Sequence, residues 1–183
     1  MDLHSSLILG HIIGTILGVG GATFIEIHLN MSLKDGKMDD TEKRFMAKDF
    51  LFTRIGMAIS FLTGFGFILE YYFHNQLFRL SDGVFWAKMA IIVIIIVNAY
   101  LLHKHKIGLY WGSAFSFVSW WIAMILGSFL TSNVKFFPAN VPVSFASILA
   151  VYALCVIIGA FVLHKLRAPR PVTPPPTMPV TAT

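Results

Sequence analysis

Five uninterrupted apolar stretches, at 5–29, 51–73, 84–103, 108–131 and 143–164, constrain this chain more than any other feature in it. Each is long enough to cross the roughly 30 Å hydrocarbon layer of a bilayer, which takes about 20 apolar residues in a helix. None is broken by proline: Pro138 and Pro142 precede the fifth stretch, and the other prolines lie beyond Arg167. Only 13% of the residues are charged, about half the usual share in soluble domains, and the mean hydropathy is +0.74. The expected fold class is all-α, an integral membrane bundle of five transmembrane helices. Residues 1–166 form one transmembrane domain, and 167–183, proline-rich and without acidic residues, are expected to be a disordered cytoplasmic tail with polyproline character.

The first stretch carries a row of small residues. Gly10, Gly14, Gly18 and Ala22 follow at four-residue steps and end at Glu26, so they share one helix face. Such rows let a second helix backbone approach closely in lipid. His11 and Thr15 lie on the adjacent row, and Gly21 widens the groove. Gly56, Ser60 and Gly64 repeat the device in the second stretch, and Gly112, Ser116, Ser119, Ala123 and Gly127 in the fourth. The first, second and fourth helices are therefore expected at the centre. The third, nearly all Ile and Val between Lys88 and Asn98, is expected to face lipid over much of its surface.

Orientation follows from the basic residues. Eleven Lys and Arg lie on the side that holds the first loop, the 104–106 turn and the tail, against Arg79 and Lys135 on the other. The positive-inside rule then puts the N-terminus outside and the C-terminus in the cytoplasm, here of a prokaryotic plasma membrane. Asp2 and the absence of Lys or Arg before the first apolar run speak against a cleaved signal peptide. In the first loop, Asp35-Gly36 reads as a turn, and Asp39 with Glu42 three residues on reads as a helix start near Asp40 that runs into the second span. The acidic run lacks the ligand spacing of a calcium loop. The single Cys155 excludes a disulfide framework. A net charge of +5 is explained by topology and does not call for nucleic acid.

Two polar layers fall inside the membrane. The outer one collects His11, Glu70 and Lys88, at similar inferred depth on three helices. It reads either as a proton-exchanging or ligand-orienting site or as a Glu70–Lys88 ion pair beside a core histidine, with a lone interfacial Lys88 as a further option. The inner layer pairs Glu26 with Arg54 across the first two helices, near Asn98. Seven histidines also raise haem b, which needs two axial ligands at one depth. The candidates are His28 with His103 or His164, and His11 with Met89. A transition metal at the same inner histidines has no supporting motif, and His103 and His105 do not share a helix face. No nucleophile elbow, phosphate-binding loop or other catalytic motif is present, so no enzyme activity is expected.

The segments HIIGTILGVGGATFIEI, LKDGKMDDTEK and KMAIIVIIIVNAYLLH resemble a group of poorly characterised prokaryotic multi-pass membrane proteins, some with a cytochrome b5-like haem domain after the membrane part. The resemblance covers roughly the first 105 residues. It implies a membrane protein associated with redox chemistry, supplies no catalytic residues, and its extra domain has no counterpart in this sequence. The functions expected are therefore a haem- or redox-associated membrane component, or else a small permease or proton-coupled carrier, or an assembly partner of another membrane protein or of a second copy.

Overall fold

The computed structural model describes residues 2–32, 39–76, 83–131 and 145–166, with the side chains of 129–131 left aside. It is all-α: α1 (Leu3–Ser32), α2 (Asp40–Phe73), α3 (Gly83–His103), α4 (Leu109–Thr131) and α5 (Phe145–Leu166). All five are long and apolar enough to cross a membrane. Large apolar side chains such as Leu62, Tyr72, Val93 and Ile157 are exposed on the outside. In water such a surface would be a liability, whereas lipid solvates it, and the protein is a multi-pass membrane protein. The turn expected at Asp35-Gly36 and the tail expected over 167–183 lie outside the described residues.

The helix starts are set by local chemistry. Asp2 accepts the Ser5 N–H at the head of α1, and hydrogen bonds from Ser5 hold its carboxyl below the usual range. Asp39 accepts the Glu42 N–H at 2.7 Å, and the Glu42 carboxylate accepts the Asp39 N–H at 3.0 Å. This reciprocal box satisfies two donors that a helix start leaves orphaned, and α2 runs unbroken from it. At 1.5 Å per residue its 34 residues span about 50 Å, about 20 Å more than the hydrocarbon layer. Its polar beginning therefore projects beyond the membrane.

α1 and α2 make the most extensive helix pair, and the remaining extended contacts are α3–α4, α1–α4, α4–α5 and α3–α5. The seam between α1 and α2 is antiparallel and runs in steps of seven: His4 meets Glu70, His11 meets Thr63, and Gly18 meets Gly56. Between the last two Gly14 abuts Ser60, and beyond them Gly21 abuts Thr53. A Cβ on Gly14 would lie 2.7 Å from the Ser60 amide nitrogen, and one on Gly56 would lie 2.6 Å from the Gly14 carbonyl oxygen. The two backbones touch, which only glycine permits here. The seam alternates steps of three and four, the spacing of nearly antiparallel packed helices, and does not follow the straight four-residue row. Gly21 faces α2, while Ala22 turns towards α4 and joins the core. A Cβ on Gly10 would meet the Thr63 methyl at 2.9 Å, whereas one on Gly64 would make only an ordinary contact, 3.9 Å from the His11 ring.

The core cluster lies on the other side of α1. Val19 and Ala22 pack with Ile91 and Ile95 of α3, Trp120, Ala123 and Leu126 of α4, and Tyr152 and Val156 of α5. Of the three helices expected at the centre, α1 and α4 both supply the cluster and α4 packs on α1, α3 and α5, whereas α2 reaches the cluster through Met57 and has its extended packing on α1. α3 leaves Trp86, Val93, Val97 and Tyr100 exposed, as expected of a helix that shows much of its surface to lipid, and buries one row, Ala87, Ile91, Ile95 and Asn98, against the bundle. Hydrogen bonds fix the arrangement. The Asn98 amide donates to the Gly112 carbonyl at 2.9 Å, and Ser119 and the Tyr152 hydroxyl share a buried bond of 2.8 Å.

Candidate functional site

At the end that carries the N-terminus, α1, α2 and α3 bring His11, Thr63 and Lys88 together. Lys88 Nζ lies 3.2 Å from His11 Nε2, and His11 Nδ1 lies 2.9 Å from Thr63 Oγ1. The Thr63 hydroxyl donates to the Ile59 carbonyl at 2.7 Å, so its oxygen accepts and His11 Nδ1 donates. His11 Nε2 is then left as an acceptor for Lys88. The result is a directed chain of hydrogen bonds, Lys88 to His11 to Thr63 to the α2 backbone. Lys88 also reaches α4, where a Cβ on Gly127 would meet Nζ at 2.7 Å. A narrow cavity of about 20 Å³ adjoins His11 and Lys88, enough for about one water molecule.

Glu70 belongs to a separate unit. Its carboxylate takes the His4 ring at 2.9 Å, and not Lys88 as charge matching suggested. The Phe67 ring stands between the two units, edge-on to His4 and to His11 at 5.8 Å each. The reason lies in the register: Glu70 is seven residues, or about 10 Å of helix, beyond Thr63, the residue level with His11. Of the three residues expected in the outer layer, the structure brings His11 and Lys88 together and leaves Glu70 with His4.

The other end is built differently from the expected Glu26–Arg54 layer. Glu26 is buried and accepts from the Asn30 amide at 3.5 Å, whereas Arg54 is exposed and borders a cavity that Glu26 does not line. The carboxylate that ties α1 to α2 here is Asp49, 2.5 Å from His28 Nδ1. Asp49 lies one heptad before Gly56, on the same face, and that spacing was the signal for it. It went unnoticed because it falls two residues before the apolar run begins.

The large, partly open cavity, of about 400 Å³, is bordered by α1, α2, α3 and α4. Ala22, Ile25, Phe50 and Leu102 give it apolar walls, and Thr53, Asn98, Ser113 and Ser116 give it polar ones. Arg54, His103 and His105 supply its ionisable groups, with no carboxylate among the described lining residues. It is legible only in three dimensions, since its lining comes from four helices. Met57, Ile95 and Trp120 line both this cavity and the narrow one beside Lys88. They form a shared wall one side chain thick.

The arrangement of these residues gives no support to a haem held between two imidazoles. Both nitrogens of His11 are engaged, which argues against a His11–Met89 pair. His28 holds Asp49 through Nδ1 beside Phe24 and Phe45, and His164 stacks on Trp111 at 5.3 Å. The two histidines that border the cavity, His103 and His105, both stand at the α3 terminus, with no imidazole across from them among the described lining residues. No group of three His, Cys, Asp or Glu is placed to hold a metal among the described residues. Comparison with protein families, curated proteins and solved structures found no match.

Proposed function

We propose that the protein is a small proton-coupled membrane carrier. The observation that carries this reading is the pair of cavities on either side of one side-chain wall, Met57, Ile95 and Trp120, with the Lys88–His11 proton chain on the narrow side. A carrier needs a solute site reachable from one face and a barrier that a small rearrangement can shift. Ionisable groups inside a membrane are costly and are kept where they pair or face a cavity, as proton relays do. Lys88 and His11 meet both conditions.

In this reading the chain sits in a prokaryotic plasma membrane with its N-terminus outside, as the bias of basic residues requires. The large cavity then opens in the cytoplasmic half and the Lys88–His11 chain lies in the outer half. Alkaline phosphatase fused after Arg170 should be inactive, and an active fusion overturns the orientation. Transport is tested by capacitive current recording on proteoliposomes challenged with a panel of small carboxylates, phosphates and amines. At least one class should give a current that scales with the imposed pH gradient in the wild type, and Lys88→Met should abolish that dependence. No current for any class, or an unchanged pH dependence in Lys88→Met, overturns the carrier.

A further inference from the structure

We propose that the large cavity is a binding site for an anionic amphiphile, an apolar chain or ring system carrying one carboxylate or phosphate, and that this molecule enters sideways between α2 and α3. The inference names the substrate class of the carrier described above and rests on that reading.

Three observations converge on it. First, the charged group in the cavity's described lining is a guanidinium, Arg54 from α2, accompanied by the imidazoles of His103 and His105 from the far end of α3 and by no carboxylate. A guanidinium bordering a partly apolar space recognises a carboxylate or phosphate through paired N–H donors. Second, the rest of the lining is mixed: Asn98, Ser113 and Ser116 offer hydrogen-bonding groups, and Phe50, Leu102 and Trp120 offer apolar surface. At about 400 Å³ the space falls within the usual range for small-molecule sites. Third, α2 and α3 both border the cavity, yet they share no extended helix–helix contact. Each is held from its other side, α2 by α1 and α3 by α4. On this proposal the gap between them is the route in from the bilayer, along which a molecule with an apolar body arrives with its charged end leading to the exposed Arg54.

The shared chemistry, an anion on an apolar body, has two sources: the phosphate of a membrane phospholipid, or a free carboxylate such as a fatty acid. Trp120, part of that apolar surface, provides the readout. The full-length protein in phosphatidylcholine nanodiscs is titrated with 11-bromoundecanoate, whose bromine quenches tryptophan on contact, and with 11-bromoundecanol as the uncharged probe of equal length. Saturable quenching by the carboxylate alone is expected, superimposed on a linear component from Trp86, Trp111 and Trp121 that both probes share. Trp120→Phe should remove the saturable component. Arg54→Gln, an exchange at an exposed residue that should leave the fold intact, should weaken it by about tenfold or more, the effect of losing a charge-assisted hydrogen bond. Ala99→Phe, which narrows the cavity without touching its charge, should abolish it.

Repeating the titration with phosphatidylglycerol in the nanodisc separates the sources. Loss of the saturable component identifies a phospholipid as the occupant, and its persistence identifies the free carboxylate. Equal saturable quenching by the alcohol, or unchanged affinity in Arg54→Gln, overturns the inference. Because quenching is read at equilibrium, its failure is independent of the proton-coupling test. Saturable binding in a protein that moves no current overturns the carrier and leaves the site standing.

Discussion

Replacing Gly14 by alanine tests the α1–α2 seam at a point where the two backbones touch. The new Cβ would lie 2.7 Å from the Ser60 nitrogen and hydroxyl and 3.0 Å from the Gly56 carbonyl oxygen, where ordinary contact begins at 3.4 Å. Two of those three atoms are backbone, so no side-chain rotation relieves them. The helices must part by about 0.5–1 Å, which forfeits a quarter to a half of each contact well along the seam. Overpacking of this kind costs about 1–3 kcal/mol. Alanine returns up to about 1 kcal/mol through its better helix propensity, so the net loss should be about 1–2 kcal/mol. Gly20 is the control, because nothing lies within 4 Å of its added Cβ; Gly20→Ala should be neutral or stabilising by up to about 1 kcal/mol. Reversible unfolding in mixed micelles, titrated with sodium dodecyl sulfate, measures both. Gly14→Ala at least as stable as wild type, or no less stable than Gly20→Ala, would refute a backbone contact between α1 and α2.

Further outcomes follow from the polar pairs and the cap. A double-mutant cycle on His11→Ala and Lys88→Met should show coupling of about 1 kcal/mol or more, while the cycle on Glu70→Gln and Lys88→Met should give a value near zero; the reverse order would restore the Glu70–Lys88 ion pair. Asp49→Asn should destabilise by about 1–3 kcal/mol through its buried bond to His28, and His28→Ala should add little on top of it, as chemical unfolding of the single and double variants would reveal. Asp39→Ala should cost about 1 kcal/mol at the α2 start, seen as faster amide exchange at Glu42 and Lys43, with exchange in the membrane half of α2 unchanged.

The helices were legible in the sequence because lipid as solvent leaves few choices: a long apolar run without proline has to satisfy its own backbone. The α2 start was legible for a local reason, since Asp39 and Glu42 make the box between themselves. The small-residue faces were legible as faces, and Gly14, Gly18 and Gly56 do mark a backbone contact. Which helix each face meets was not legible. Gly18 lies against both Gly56 and the Trp120 indole, and only the three-four stagger sends Ala22 to α4 and Gly21 to α2. The polar partners failed for the same reason. Opposite charge nominated Glu70 for Lys88, but the register of α1 on α2 supplies His4 to Glu70 first, and Lys88 reaches the neutral imidazole of His11. Arg54 was visible as an intramembrane cation, yet the cavity it borders depends on α2 and α3 standing apart, and no local sequence pattern encodes a gap.

The way α2 is attached divides the molecule into two parts. A chain severed between α2 and α3 would yield an α1–α2 hairpin that keeps its seam of glycines, its His28–Asp49 bond and its His4–Glu70 bond. The other piece would keep Asn98 on Gly112 and Ser119 on Tyr152. What joins the pieces is chiefly the face where Val19 and Ala22 meet Trp120 and Ala123, with polar stitches of Lys88 on His11 and of the Trp121 indole on Thr23 among the described residues. The two fragments, expressed from separate genes, should each insert unaided and then find one another in the bilayer. The large cavity forms only when they do, since its walls are drawn from both.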